Sequence, residues 1–139
     1  RLDPATLELE LTENTIMDSA ADSFEVLQYL RDLGVTIALD DFGTGYASLK
    51  SLTSYPVDTI KVDRGFVFDA KDKKEKRAVL RAVIMLAREF GLASVAEGVE
   101  TAEDVLIVEK LGFEMAQGYS WSRPLSASDF QSFLSDQAA

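Results

Sequence analysis

The sequence predicts an α/β protein in which a parallel sheet is covered by helices and set as in a (β/α)8 barrel. Three observations carry this. Five apolar runs of strand length alternate with five stretches whose apolar residues recur at helical spacing. No spare linker or low-complexity segment interrupts them. Each strand has a polar or charged residue at or near its carboxyl end: Glu10, Asp40 with Asp41, Lys61, Glu97 and Gln117. Open doubly wound sheets and closed barrels both fit the alternation. The polar strand ends favour the barrel, which brings all such ends to one face, where the site of a barrel enzyme lies.

The elements follow in order. Residues 7–12, Leu-Glu-Leu-Glu-Leu-Thr, alternate strictly and read as a strand, with Glu8 and Glu10 on one face. Residues 23–33 form an amphipathic helix with Phe24, Leu27, Leu30 and Leu33 on one stripe, stopped by Gly34. Residues 35–40 are an apolar strand with little alternation, as in a parallel strand buried on both faces. A short helix over 46–54 ends before Pro56, and residues 57–62 form the third strand with Lys61 near its end. The charge run 69–77 reads as a solvated loop and helix start. A long helix spans 79–90, with Val79, Val83, Leu86 and Phe90 facing the core and Gly91 closing it. Residues 92–96 are the fourth strand. Thr101 and Asp104 are placed to cap a helix that carries Val105, Val108 and Leu111. Residues 113–117 are a short fifth strand, and Ser126 caps a last helix with Phe130, Phe133 and Leu134. Met17, Met85 and Met115 read as core filler.

Composition bounds the chemistry. At 139 residues, with 47% hydrophobic and 27% charged, the chain is one globular domain or a piece of one. It opens Arg1-Leu-Asp-Pro without an initiator Met and reads as part of something longer. Its 14 basic and 24 acidic residues give a net charge of -10, which argues against duplex nucleic acid or an anionic membrane as partner. No run of 18 apolar residues suggests a membrane span. With neither cysteine nor histidine, any metal must be a hard, oxygen-bound cation such as Mg²⁺, Mn²⁺ or Ca²⁺.

Asp40 and Asp41 give that inference a place. Successive strand side chains point to opposite faces, so the two share a site only where the strand ends and the backbone turns. Gly43 and Gly45 permit such a turn. Adjacent carboxylates repel unless a cation or a proton lies between them. A divalent-metal site and a solvated Asp-Asp turn both satisfy this local pattern.

Five motifs decide between the two. Glu10-Leu-Thr-Glu13, Asp40-Asp-Phe-Gly-Thr-Gly-Tyr46, Lys61-Val-Asp-Arg-Gly-Phe66, Ala96-Glu-Gly-Val-Glu-Thr101 and Gln117-Gly-Tyr-Ser-Trp-Ser-Arg-Pro124 resemble, in order and over essentially the whole chain, the signatures of the EAL-domain phosphodiesterases. The resemblance implies a modified barrel of about 250 residues. It also implies two Mg²⁺ or Mn²⁺ ions and hydrolysis of cyclic diguanylate to the linear dinucleotide. By motif, Glu10 matches a ligand of the first metal, Asp40 the bridging carboxylate and Asp41 a ligand of the second. Lys61 matches the lysine that holds the attacking water, Glu97 a general base or second-metal ligand, and Gln117 a polar neighbour of that water. Glu13 and the loop Phe42, Gly43, Thr44 and Gly45 match a pair that ties the metal site to a dimer contact. Glu100 resembles a structural or substrate-side acid.

The family usually has serine where Gly65 stands, and an aliphatic-aromatic pair where Ser120 and Trp121 stand. Its Glu-Ala-Leu motif and a later metal-binding Asn belong upstream of Glu10, where this chain has nine residues. Roughly three of the eight strands are therefore absent. Residues 1–139 thus read as the carboxyl-terminal part of one EAL domain, a partial barrel that is inactive alone. The alternative is a catalytically silent EAL domain that binds cyclic diguanylate or a protein partner. The reading places the protein in the bacterial cytoplasm, as a homodimer through the sheet edge or the region after Asp41. It leaves that edge open and the loop 42–46 mobile. Glu8 reads as a surface or inter-element charge, and Asp63 with Arg64 as a local ion pair. Tyr119 and Trp121 read as packing residues or as stackers on a guanine.

Overall fold

The computed structural model describes residues 2–12, 15, 22–43 and 49–137, without the side chains of residues 22, 23 and 49–51. The described residues include five strands: β1 Glu8–Thr12, β2 Thr36–Phe42, β3 Thr59–Val62, β4 Ala93–Ala96 and β5 Met115–Ala116. Among the described residues six α-helices accompany them: α1 Asp22–Asp32, α2 Leu49–Ser54, α3 Arg64–Val67, α4 Lys74–Phe90, α5 Ala102–Leu111 and α6 Ala127–Gln137. All strand pairs are parallel, and the spatial order is β1-β2-β3-β4-β5. Each strand therefore lies beside the next in sequence. A doubly wound sheet would reverse its order at a switch point. The unbroken order is that of a barrel wall, and among the described residues β1 and β5 are its open edges.

Alternation divides each strand between two faces. Ile37, Leu39, Ile60, Val62 and Ala96 are fully buried on the outer face, where Leu52 of α2, Leu80, Val83 and Ala87 of α4, and Val108 of α5 complete the core. Each large side chain buried there contributes roughly 1.5–3 kcal/mol. The inner face carries Glu10, Ala38, Asp40, Thr59 and Lys61, and it holds the site.

The long helix departs from expectation. It begins at Lys74, and its buried stripe is Leu80, Val83, Ile84 and Ala87, while Val79 and Phe90 are 39% and 42% exposed. Two stripes of helical spacing share Val83, and the one with the small Ala87 turns toward the sheet. The charge run before it is more than solvated loop. Lys76 Nζ donates to the carbonyl of Gly65 at 2.7 Å, and Arg77 donates to those of Ala70 and Lys71, both at 2.7 Å. Carbonyls that α3 and the following turn leave unpaired thus find donors. Thr101 and Asp104 form the predicted cap reciprocally: Thr101 Oγ1 accepts from Asp104 N at 3.1 Å and Asp104 Oδ2 from Thr101 N at 3.0 Å.

Two other expectations change. Met85 and Met115 are exposed, Met115 because it lies on the inner face of an open sheet, and Met17 lies outside the described residues. The predicted fifth strand shrinks to Met115–Ala116, which leaves Gln117 in the loop beyond it. Helix α6 is capped as predicted, since Ser126 Oγ accepts from Asp129 N at 3.2 Å, but none of its residues is buried.

Candidate metal centre

The two adjacent aspartates reach one site through a defect inside β2. Its pairing with β3 passes from Leu39↔Ile60 to Phe42↔Val62, so β2 spends one residue more than its partner. That is a β-bulge, a device that re-aims side chains. Asp41 within it has φ +54°, the left-handed conformation that Asp tolerates better than most L-residues. The turn expected at Gly43 and Gly45, past the strand end, thus lies one step earlier, and the strand runs through to Phe42. Gly43 follows with φ +96°, and a Cβ there would lie 3.0 Å from the Phe66 ring. Phe42 itself is buried in the core, so it can serve the loop only through its backbone. Thr44, Gly45 and Glu13, and the mobility expected for 42–46 apart from Phe42 and Gly43, lie outside the described residues.

The neighbouring strand ends complete the cluster. Glu97 N donates to Val62 O at 3.0 Å, which sets Glu97 beside the end of β3. The chain then turns at Gly98, with φ +65°, where a Cβ would lie 2.3 Å from that of Arg64. Asp40, Asp41 and Glu97 each offer a carboxylate oxygen within 4.8 Å of the others. Lys61, 4% exposed, stands at the centre. Its Nζ donates to Glu10, lies 2.8 Å from Glu97 Oε1 and 3.7 Å from Asp40 Oδ1. Glu10, matched by motif to a metal ligand, is therefore engaged with the lysine.

Four carboxylates, Glu10, Asp40, Asp41 and Glu97, face one ammonium, a formal balance of -4 + 1 = -3. Burial pushes the Lys61 ammonium down, but the hydrogen bonds to Glu10 and Glu97 and the charges of Glu97 and Asp40 outweigh it. Its pKa ends well above the ordinary lysine range. The Asp41 carboxyl is raised by desolvation and by the negative charges of Asp40 and Asp63, against an opposing pull from Lys61. Gln117 lies at the rim, in a cleft of about 220 Å³ shared with Asp63, Arg64, Glu97, Glu100 and Tyr119. Asp63 shapes the turn after Lys61 by capping α3 through Gly65 N at 2.8 Å, in place of the expected ion pair with Arg64. Tyr119 and Trp121 are half-exposed, and the Arg123 guanidinium lies 4.7 Å from the Tyr119 ring centroid.

The donor set suits a hard divalent cation. Every donor is an oxygen, and oxygens on opposite sides of such an ion lie roughly 4–5 Å apart. Sequence reasoning gave Glu8 no partner and overlooked Thr59. In the structure Thr59 Oγ1 donates to Glu8 Oε2 at 3.0 Å. The signal was present, because Glu8 and Thr59 precede Glu10 and Lys61 by two residues each and so share their faces.

Comparison with known proteins places the fold that carries these residues. The cyclic di-GMP phosphodiesterase NbdA of Pseudomonas aeruginosa is 41% identical over 128 residues, covering 92% of this chain and 16% of that protein. The crystal structure of the EAL domain of Mycobacterium smegmatis DcpA superposes with a TM-score of 0.89 at 41% identity, over 95% of this chain and 59% of that one. Klebsiella pneumoniae BlrP1, solved as a manganese and cyclic di-GMP complex, matches with a TM-score of 0.83 at 36% identity, over 88% of this chain and 31% of that one. This chain thus spans only part of each of these relatives. The EAL-domain family model matches residues 1–124, and the chain belongs to the EAL-domain family.

Proposed function

We propose that this chain carries the carboxylate and lysine wall of a two-metal site that hydrolyses cyclic diguanylate to the linear dinucleotide, as part of a domain whose remaining strands extend the sheet. One observation carries the reading: three carboxylate oxygens converge within 4.8 Å beside a buried lysine. Relatives of this chain are named as cyclic di-GMP phosphodiesterases, which supports the same substrate.

In this reading Asp40, Asp41 and Glu97 would hold Mg²⁺ or Mn²⁺, with Glu10 joining them from β1. Such ions, when bound, would supply an activated water and neutralise phosphate oxygens. Lys61 orients that water, and Glu10 and Glu97 keep its ammonium protonated and fixed. Glu97 would serve either as a ligand of the second ion or as the base that takes the water's proton, and Gln117, in the same cleft, would be the water's polar neighbour. The half-exposed ring of Tyr119, at the cleft mouth, is available to stack on a guanine. The protein acts in the bacterial cytoplasm; the complete domain pairs with a second copy through the region after Asp41, and residues 1–139 alone pair through the β1 edge that the remaining strands would otherwise cover.

Residues 1–139 alone turn over cyclic diguanylate negligibly, because the first ion lacks the ligands that the family places upstream. Mg²⁺ demands near-octahedral oxygen coordination, and a misplacement of about 1 Å costs roughly a hundredfold in rate. Calorimetric titration of the chain with Mn²⁺ should show one weak site, absent in Asp41→Asn. The complete domain should linearise cyclic diguanylate and lose this activity in Lys61→Ala. Robust turnover by residues 1–139 alone would refute the incomplete-site reading. Tight dinucleotide binding without turnover by the complete domain would establish the silent receptor instead.

A further inference from the structure

Two side-chain contacts on the inner face join strands that are not neighbours. Thr59 of β3 donates to Glu8 of β1 at 3.0 Å, and Lys61 of β3 donates to Glu10 of β1. Strand β2 lies between them. Adjacent strands are about 4.8 Å apart, so these contacts bridge roughly 10 Å and must pass over β2. The β2 residue in their path is Ala38, which is level with Glu10 on one side and with Thr59 on the other. Ala38 is fully buried, and its methyl group is short enough to leave the lane open.

The two contacts form successive rungs. Glu8 and Glu10 are two residues apart on β1, as Thr59 and Lys61 are on β3, so each pair of side chains shares one face. Thr59 is 4% exposed, and its hydroxyl is a buried group that needs a partner. Glu8 supplies it. The upper rung differs in its β3 member, since the short, branched Thr59 is replaced there by a long side chain. Lysine carries its charge on a flexible stem with four carbons, and Glu10 is half-exposed on an edge strand.

We propose that Glu8, Thr59 and Ala38 are positioning residues for Lys61: the lower rung holds β1 at the spacing from β3 that lets Glu10 reach the ammonium, and Ala38 keeps the path clear. The inference rests on the function proposed above only for its purpose. Its test needs neither metal nor substrate, so the two can fail separately.

The test measures solvent exchange of the Lys61 ammonium by NMR in ¹⁵N-labelled chain, with the signal identified by its loss in Lys61→Arg. Thr59→Val keeps the branched shape and removes the hydroxyl. It should speed exchange about three- to tenfold, the range implied by the net contribution of one hydrogen bond. Thr59→Ser should restore the original rate, and Glu8→Gln, which keeps an acceptor, should stay within about twofold of it. Ala38→Val should have a larger effect than Thr59→Val, because it obstructs both rungs. In a Glu10→Ala background Thr59→Val should add nothing further, since Lys61 then has no acceptor on β1 left to reach. Unchanged exchange in Thr59→Val, or the same increment in both backgrounds, would overturn the proposal. Thr59→Val decides the matter even if Ala38→Val fails to fold.

Discussion

The inner and outer faces of the same strands obey opposite rules. On β3, Ile60 and Val62 point outward into the core and are fully buried, while Thr59 and Lys61 point inward and are 4% exposed. All four are inaccessible, yet the outer pair needs only volume and the inner pair needs partners. An apolar side chain is stabilised by any close-packed neighbour, whereas a buried polar group requires a donor or acceptor at a defined place. The outer face can therefore tolerate repacking. The inner face cannot, and it is there that β2 bulges, Asp41 turns left-handed and Ala38 must stay small. The strands put stability on one face and chemistry on the other, residue by residue.

Substitutions at adjacent positions of β3 should separate the two. Ile60→Ala removes core volume and should cost about 2–5 kcal/mol of unfolding free energy. The folded fraction should still bind Mn²⁺ with unchanged affinity. Denaturant unfolding beside metal titration checks this, and a large drop in affinity would show that the faces are coupled. Lys61→Met keeps similar volume and removes the charge. Glu97 and Asp40, both mostly buried, lose their counter-charge, and the cost should be about 2–3 kcal/mol, below a fully buried pair because Glu10 is half-exposed. Saturating Mn²⁺ should recover part of that loss in Lys61→Met and none of it in Ile60→Ala. The Lys61 contribution also has a pH signature. Its folded pKa lies above the unfolded value, so the stabilisation is complete below the ordinary lysine pKa of about 10.4 and is lost as pH rises through the folded value.

The outer face and the inner face were unequally legible in the sequence. Hydrophobic periodicity marks buried strands and helices, and all five strands lie where alternation or an apolar run placed them, with ends shifted by up to two residues. Periodicity does not distinguish two stripes that share a residue, so Leu80 and Ile84 were missed in favour of Val79 and Phe90. The site residues were named through strand ends and motif resemblance, and Asp40, Asp41, Lys61 and Glu97 do converge. Their arrangement was not legible. No local rule locates the bulge between Leu39 and Phe42, because register shifts depend on the partner strand. Contacts that skip a strand, such as Glu8 with Thr59, depend on what the middle strand leaves out, and Ala38 gives no signal until its neighbours are known.

The smallest effect is expected at Asp41, where the demands of folding and of metal binding have opposite signs. Desolvation and the charges of Asp40 and Asp63 raise its folded pKa above the unfolded value. An acid raised in this way destabilises the fold wherever it is ionised, and the penalty is relieved as pH falls through the folded pKa. Asp41→Asn removes the charge but keeps the size. Asn also tolerates the left-handed backbone that φ +54° requires, so no new strain is introduced. Without metal, the variant should therefore be more stable than the unsubstituted chain near neutral pH, by up to about 1 kcal/mol given the partial exposure of the cluster. The gap should close as pH falls through the carboxylate range, because the unsubstituted Asp41 then becomes neutral as well. Adding Mn²⁺ near neutral pH should reverse the order, since the ion stabilises only the form that binds it. Thermal unfolding of both chains, with and without Mn²⁺ and at both ends of that pH range, reads all three outcomes. If Asp41→Asn is less stable than the unsubstituted chain in the absence of metal, Asp41 supports the fold through its own contacts, and the division of labour between the faces does not extend to the bulge.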